Sequence, residues 1–291
     1  MKKSVKQPLI TQTEINKMDN FNRDIKKNGY RPWVTVRGSH THGQGHIIHS
    51  FKTNRNHHLL SRGERLPFFM FEQDSTVVDI LEQYPLPIFE TMKIAEELNV
   101  VHPGAYKQRK KYNNQIPAKV MTTDFVIVKR LLSGKVVLSP YSFKYSGALD
   151  ITKHDIRKYQ RTKQKLKIEE LYWASLGLQI VFLTECDFDK TVIYNLEFFR
   201  ECFDYPEYLD VGEQFKNIVL GRLQKRFLSE PKDTLRQHID AVADDLNTSN
   251  FQVLYLFQEA VYHNDLKLDL SERIELYRPL ALLNKGTSHV A

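Results

Sequence analysis

Cysteine is almost absent from this 291-residue chain, and long apolar runs are absent altogether. Cys186 and Cys202 give neither a disulfide framework nor a thiolate set for structural zinc, which points to a reducing compartment. The longest apolar stretches, such as Phe68-Phe69-Met70-Phe71 and Ile180-Val181-Phe182-Leu183, are far short of a membrane span. The Lys-rich start has no apolar signal core behind it, so a cytoplasmic protein is expected. Basic residues are also scarce in one region. Residues 187–291 hold 12 Lys/Arg against 18 Asp/Glu, which leaves 30 against 17 for residues 1–186. A polyanion such as DNA suits the basic part, whereas the acidic part suits a protein partner. With 41% hydrophobic residues, the length accommodates two ordinary domains, read here as 1–186 and 187–291.

What the basic part contains is a trio of charged residues: Glu64 on an expected helix, Asp124 on an expected strand and Lys144 at the end of the next strand. Asp124 enters the apolar run Phe125-Val126-Ile127-Val128, and burying an acid there is costly without a partner or a metal. Lys144 closes the strand from Val136, beyond a turn at Ser133-Gly134. Residues of matching parity on a hairpin share a face, so Asp124 and Lys144 can meet in one cleft. Phosphodiester cleavage must stabilise extra charge on an already anionic phosphate. Divalent metals held by carboxylates do this, and a lysine can orient water or neutralise charge. The layout is that of a metal-dependent nuclease. For Glu64 the competing reading is a capping box, Ser61-x-x-Glu64, and for Lys144 a strand-end lysine facing water.

Elsewhere the first twenty residues read as a polar, mobile arm, and Val34–Arg37 as a short strand. Six histidines follow, His40, His42, His46, His49, His57 and His58. They lack cysteine companions and clean helical spacing, which favours phosphate contacts or loop composition over zinc. Leu59–Pro67 reads as a broken helix, 75–86 as a strand, and 91–99 as a helix. The run Lys107-Gln108-Arg109-Lys110-Lys111-Tyr112 is a basic loop expected at the mouth of the site. A Lys/Arg-dense helix runs from about His154 to Leu176 and ends at Gly177. On it Leu166, Glu169, Tyr172, Trp173 and Leu176 share a face, so Glu169 must be paired or functional. A buried strand spans 178–184. Beyond 187 four amphipathic helices and an alternating strand, Leu266–Leu270, suggest a winged-helix pattern. The second helix of its pair carries Gln252, Glu259 and His263 and no Lys or Arg, which favours protein contact over DNA reading.

His57-His58-Leu59-Leu60-Ser61 with Glu64, Val78-Asp79-Ile80 with Glu82-Gln83-Tyr84-Pro85-Leu86, Thr123-Asp124-Phe125, and Glu169 with Tyr172-Trp173 resemble the TnsA family, the endonuclease subunit of heteromeric cut-and-paste transposases. The resemblance covers roughly residues 30–200. It implies an α/β fold: a restriction-endonuclease-like (PD-(D/E)xK) catalytic domain followed by a mainly helical, winged-helix-like C-terminal domain. It also implies Mg²⁺-dependent cleavage of the 5′ strand at transposon ends, with Mn²⁺ as a substitute and nucleoid association during activity. The implied partners are a DDE-type transposase and an AAA+ ATPase regulator that docks on the C-terminal domain. Carried over by position, Glu64, Asp124 and Lys144 are catalytic, Glu169 is an acid of secondary importance, and the metal ligands are Glu64, Asp124 and the Phe143 carbonyl.

Two residues depart from the family pattern. Ser142 stands where an acid or amide is usual, and Pro67 falls one turn after Glu64, where a regular helix wants an N–H. The alternatives are a stand-alone restriction or repair nuclease of the same fold and a non-catalytic DNA-binding adaptor, which Ser142 keeps open.

Overall fold

A computed structural model describes residues 5–39, 44–152 and 155–280, and in it the chain forms two compact units, Met1–Asp187 and Phe188–Ala291. His40, His42 and His154 lie outside the described residues. In the first unit the expected N-terminal arm is instead a helix, α1 (Gln12–Asn28). Thr11 caps it by accepting the Glu14 N–H, and Phe21 anchors it edge-on to Trp33 and Tyr30. Its polar composition hid the single buried position. Val34–Arg37 is a bend and turn, not a strand.

Strands β1 (His46–Ser50) and β2 (Arg55–Leu59) pair as an antiparallel hairpin. Helix α2 (Arg65–Gln73) follows, then β3 (Val77–Pro85), α3 (Ile88–Glu97), β4 (Thr122–Arg130), β5 (Val136–Phe143), α4 (Ile156–Ser175) and β6 (Val181–Leu183). The main sheet has the order β3-β4-β5-β6. It is antiparallel except for β5 and β6, which α4 joins as a parallel crossover. On one side Phe71 of α2 packs on Phe125 and Tyr141. In another cluster Ile94 and Ala95 of α3 and Ile168, Tyr172 and Trp173 of α4 enclose Val126. Coverage of this kind explains the apolar run of β4.

Three expectations need correction. The strand read at 178–184 is only three residues long and partly exposed, because it lies at the sheet edge. Leu176 is 56% exposed, past the end of the buried face of α4. The stretch Leu59–Pro67 is not a broken helix: β2 ends at Leu59 and α2 begins only at Arg65. Pro67 is therefore the third helical residue, where an N–H would have no partner within the helix, and it needs no kink.

His57 and Glu82 are completely buried beneath the hairpin. Glu82 accepts from both Arg55 terminal nitrogens (3.0 and 2.8 Å), from His57 Nδ1 (2.9 Å) and from the His58 N–H (3.1 Å), while His57 Nε2 meets Thr53 Oγ1 at 2.7 Å. Both ring nitrogens of His57 are therefore engaged in structure. Glu82→Ala would strand the Arg55 cation, and a loss of about 3 kcal/mol is expected in chemical denaturation.

The second unit contains α5 (Lys190–Arg200), α6 (Glu213–Ser229), α7 (Leu235–Leu246) and α8 (Asn250–Tyr262) around Phe199, Leu223, Leu235, Val253 and Phe257. Thr234 and Gln237 form a reciprocal capping box at α7, and Asn247 turns the chain into α8 at φ +50°. Leu266–Leu270 is not a regular strand; only Leu268 takes part in a β-bridge. Buried Asn195 ties that stretch down instead, through the Leu270 and Glu272 carbonyls.

Candidate active site

Glu64, Asp124, Lys144 and Glu169 are brought together at one end of β4 and β5. The register Phe125↔Tyr141 sets Asp124 across from Ser142, with Lys144 two residues beyond on the same side. Asp124 Oδ2 accepts from the Phe143 N–H (2.8 Å), Ser142 Oγ (3.1 Å) and Lys144 Nζ (2.8 Å). The Lys144 ammonium also donates to the Phe143 carbonyl at 2.6 Å and lies 3.4 Å from Ser142 Oγ. Burial pulls this ammonium down, but the Asp124, Glu169 and Glu64 carboxylates outweigh it and hold the pKa above the ordinary lysine value.

Glu64 is not within a helix but is the residue that caps α2. The Leu60 N–H (2.8 Å) and Ser61 Oγ (2.9 Å) fix its carboxylate, and the Glu64 N–H returns to Ser61 Oγ at 3.3 Å. The capping-type lock and the functional position thus coexist. Gly63 allows the turn to approach, since a Cβ there would meet the Phe143 ring at 2.1 Å. Burial, then the Asp124 charge, pushes the Glu64 carboxyl up to about 7. Glu169 is 4% exposed and is raised to about 8, by burial first and Asp124 second. Its Oε1 has no hydrogen-bond partner among the described residues. Thr123, whose hydroxyl accepts the Trp173 indole N–H at 2.8 Å, and Ser142 hold the carboxyl from below.

Three carboxyl groups therefore share one ammonium, and two of them resist ionisation. The oxygens of Asp124 and Phe143 already surround a cation, the Lys144 ammonium, and all the donors are hard oxygens of the kind Mg²⁺ takes. Among the described residues no three Asp, Glu, His or Cys side chains form a ready-made metal cage. The oxygens on this side of the site that face the Lys144 ammonium are those of Asp124 and the Phe143 carbonyl, with the Glu64 carboxylate near enough to Asp124 to feel its charge. Ser142 serves this set by donating to Asp124.

Gln83, missed as a functional residue in the sequence, completes the frame. It is 2% exposed and adopts φ +49°, an uncommon conformation for a side chain of this size. Its Nε2 lies 3.4 Å from Glu64 Oε2, while its Oε1 accepts from Thr122 Oγ1 at 3.0 Å. Only the backbone exposes this role, because Gln83 reads as an ordinary strand residue. Gln83→Ala removes a buried side chain that links Glu64 to Thr122, and a loss of about 1 kcal/mol is expected in chemical denaturation.

Residues 74–185 match the family model described as TnsA-like endonuclease N terminal. Over 168 residues the chain is 32% identical to the transposon Tn7 transposition protein TnsA of Escherichia coli. The alignment covers 58% of this chain and 55% of that protein, so the chain spans about half the length of the curated relative it matches. The matched model contains Asp124, Lys144 and Glu169; Glu64 lies before it.

Proposed function

We propose that this chain, which belongs to the TnsA family, is a Mg²⁺-dependent endonuclease that cuts the 5′ strand at the ends of a transposon as one subunit of a heteromeric transposase. The observation that carries this reading is the convergence of Glu64, Asp124 and Lys144 on one point, with the orphaned carboxyl oxygen of Glu169 beside them. The order β3-β4-β5-α4-β6 supports a restriction-endonuclease-like fold for the first unit.

When bound, a divalent cation supplies charge stabilisation at the scissile phosphate. Asp124, fixed by three donors, and Glu64, fixed by two strong ones, would hold it together with the Phe143 carbonyl. The Lys144 ammonium then turns from Asp124 to the phosphate oxygens or the attacking water. The Asp124 carboxylate, followed by Glu169 and Glu64, favours the charged form of that ammonium. Phe143 and Gly63 close the wall between Asp124 and Glu64.

The second unit is read as winged-helix-like and protein-binding, its paired helices being α7 and α8. The Glu259 carboxylate of α8 is engaged by Lys216 at 2.9 Å, and α8 carries no cation for a phosphate backbone. This fits docking of an AAA+ ATPase regulator, while a DDE-type transposase cuts the other strand.

The test is strand-labelled cleavage of a transposon-end duplex in Mg²⁺, with the chain alone and with its transposase and regulator. A nick in the 5′ strand only in the complete mixture supports the subunit reading. Equal cutting by the chain alone favours a stand-alone nuclease, and no cutting in any mixture favours a non-catalytic adaptor.

A further inference from the structure

We propose that one face of α4, together with Lys119, is a backbone track that grips the DNA strand beside the scissile phosphate. The inference rests on the reading that the carboxylate site cleaves DNA. Lys158, Arg161, Lys165 and Glu169 follow one another at three- and four-residue steps, so they share a face of the helix. Glu169 belongs to the site, and the cations lead away from it at intervals of ~4.5–6 Å along the axis. That spacing is close to the separation of successive phosphates on a strand.

The charge on this face is unbalanced. Lys119, Lys158 and Lys165 are exposed, and none has a side-chain hydrogen bond or ion pair among the described residues. Arg161 is anchored beneath them, donating to the Val101 carbonyl and to Gln164 Oε1 at 3.2 Å. Although the Lys165 residue as a whole is exposed, its ammonium is held below the ordinary lysine value by partial desolvation and then by Arg161, Lys119 and Lys144, all charges of its own sign. A solvated lysine face normally interleaves carboxylates, as Lys167 and Glu170 do on another side of the same helix at 2.8 Å. The track offers none between Lys158 and Lys165.

Cations continue beyond Lys119. Its N–H bonds the Pro103 carbonyl at 2.9 Å, and the Ala105 N–H bonds the Pro117 carbonyl at 2.8 Å. These bonds pin the start of the exposed 3-10 turn Tyr106–Tyr112, which carries Lys107, Arg109, Lys110 and Lys111. A ligand gripped by such a surface is a long polyanion with regularly spaced charges, not a single phosphate group. Affinity should accordingly fall with salt in proportion to the cations engaged.

The experiment is a salt titration of duplex DNA binding by the full chain, read by fluorescence anisotropy without divalent metal. Lys119→Gln/Lys165→Gln should weaken binding and reduce the slope of log K against log salt by about 1.8, the share of two phosphate contacts. Lys163→Gln/Lys167→Gln removes the same charge from other positions on α4 and should leave the slope unchanged. An unchanged slope in the first variant, an equal loss in both, or no salt-dependent binding by the wild type would each overturn the track. Asp124→Ala separates this proposal from the nuclease reading. It should lose cleavage in the complete mixture yet bind with the wild-type slope; a wild type that binds through the track but never cleaves refutes only the nuclease, and a wild type that cleaves while Lys119→Gln/Lys165→Gln leaves the slope unaltered refutes only the track.

Discussion

Affinity for Mg²⁺ or Mn²⁺ is expected to rise about tenfold between about pH 6 and pH 8.5, as the Glu64 ligand gives up its proton. The cause is crowding. Burial and the Asp124 charge hold the Glu64 carboxyl up at about 7, and Glu169 stands at about 8 for the same reasons. The sign for stability follows. Both folded-state values are raised above the ordinary glutamate value of 4.5. Their contribution to stability is therefore complete below the unfolded value and is lost as pH climbs through about 7 and then about 8. Without divalent metal, the melting temperature should fall between pH 6 and pH 8.5, and Mg²⁺ should restore much of it at the upper end. Glu169→Gln, which cannot ionise, should lessen the fall. Calorimetric titration across this range checks the first point and thermal melts check the second; affinity independent of pH would contradict the assignment of Glu64 as a ligand.

Lys144→Ala is expected to separate metal binding from catalysis. The ammonium lies on Asp124 Oδ2 at 2.8 Å and on the Phe143 carbonyl at 2.6 Å, oxygens that a divalent cation would also use. Removing it takes a competing positive charge out of the donor set and leaves three carboxyl groups with no counter-charge. Metal should then bind more tightly than in the wild type, while strand cleavage falls by about 10³-fold because nothing orients the water or meets the charge at phosphorus. The metal-free variant should also melt at a lower temperature than the wild type at pH 8.5. Manganese titration by calorimetry and single-turnover cleavage measure the two effects separately. Weaker metal binding with unchanged cleavage would assign Lys144 a merely structural role.

The sequence made parts of this site legible for identifiable reasons. An acid entering a run of apolar residues has few inexpensive explanations, and Asp124 was readable for that reason. Glu169 showed itself by its place on the apolar face of α4, now seen to be 4% exposed. The hairpin parity that joins Asp124 to Lys144 is a property of any regular antiparallel pair. The setting of Glu64 was harder to read. Ser61-x-x-Glu64 and Pro67 conflict only if one helix holds both, and α2 starts at Arg65. Gln83 lies in the family-like stretch Glu82-Gln83-Tyr84-Pro85-Leu86, but its contact with Glu64 is not legible there, since it arises from a left-handed backbone inside a strand. The helix at Gln12–Asn28 was missed because it buries one aromatic side chain, too little to imprint a period.

The most direct measurement is strand-resolved cleavage of a transposon-end duplex by the complete protein mixture in Mg²⁺, comparing wild type with Asp124→Ala. Loss of Asp124 frees the Phe143 N–H and Lys144 but also relieves the charge on Glu64 and Glu169, so the variant should fold and bind DNA. The wild type is expected to nick the 5′ strand and the variant to leave it intact, with the opposite strand still cut by the transposase. A 5′ nick of undiminished rate with Asp124→Ala would contradict the account.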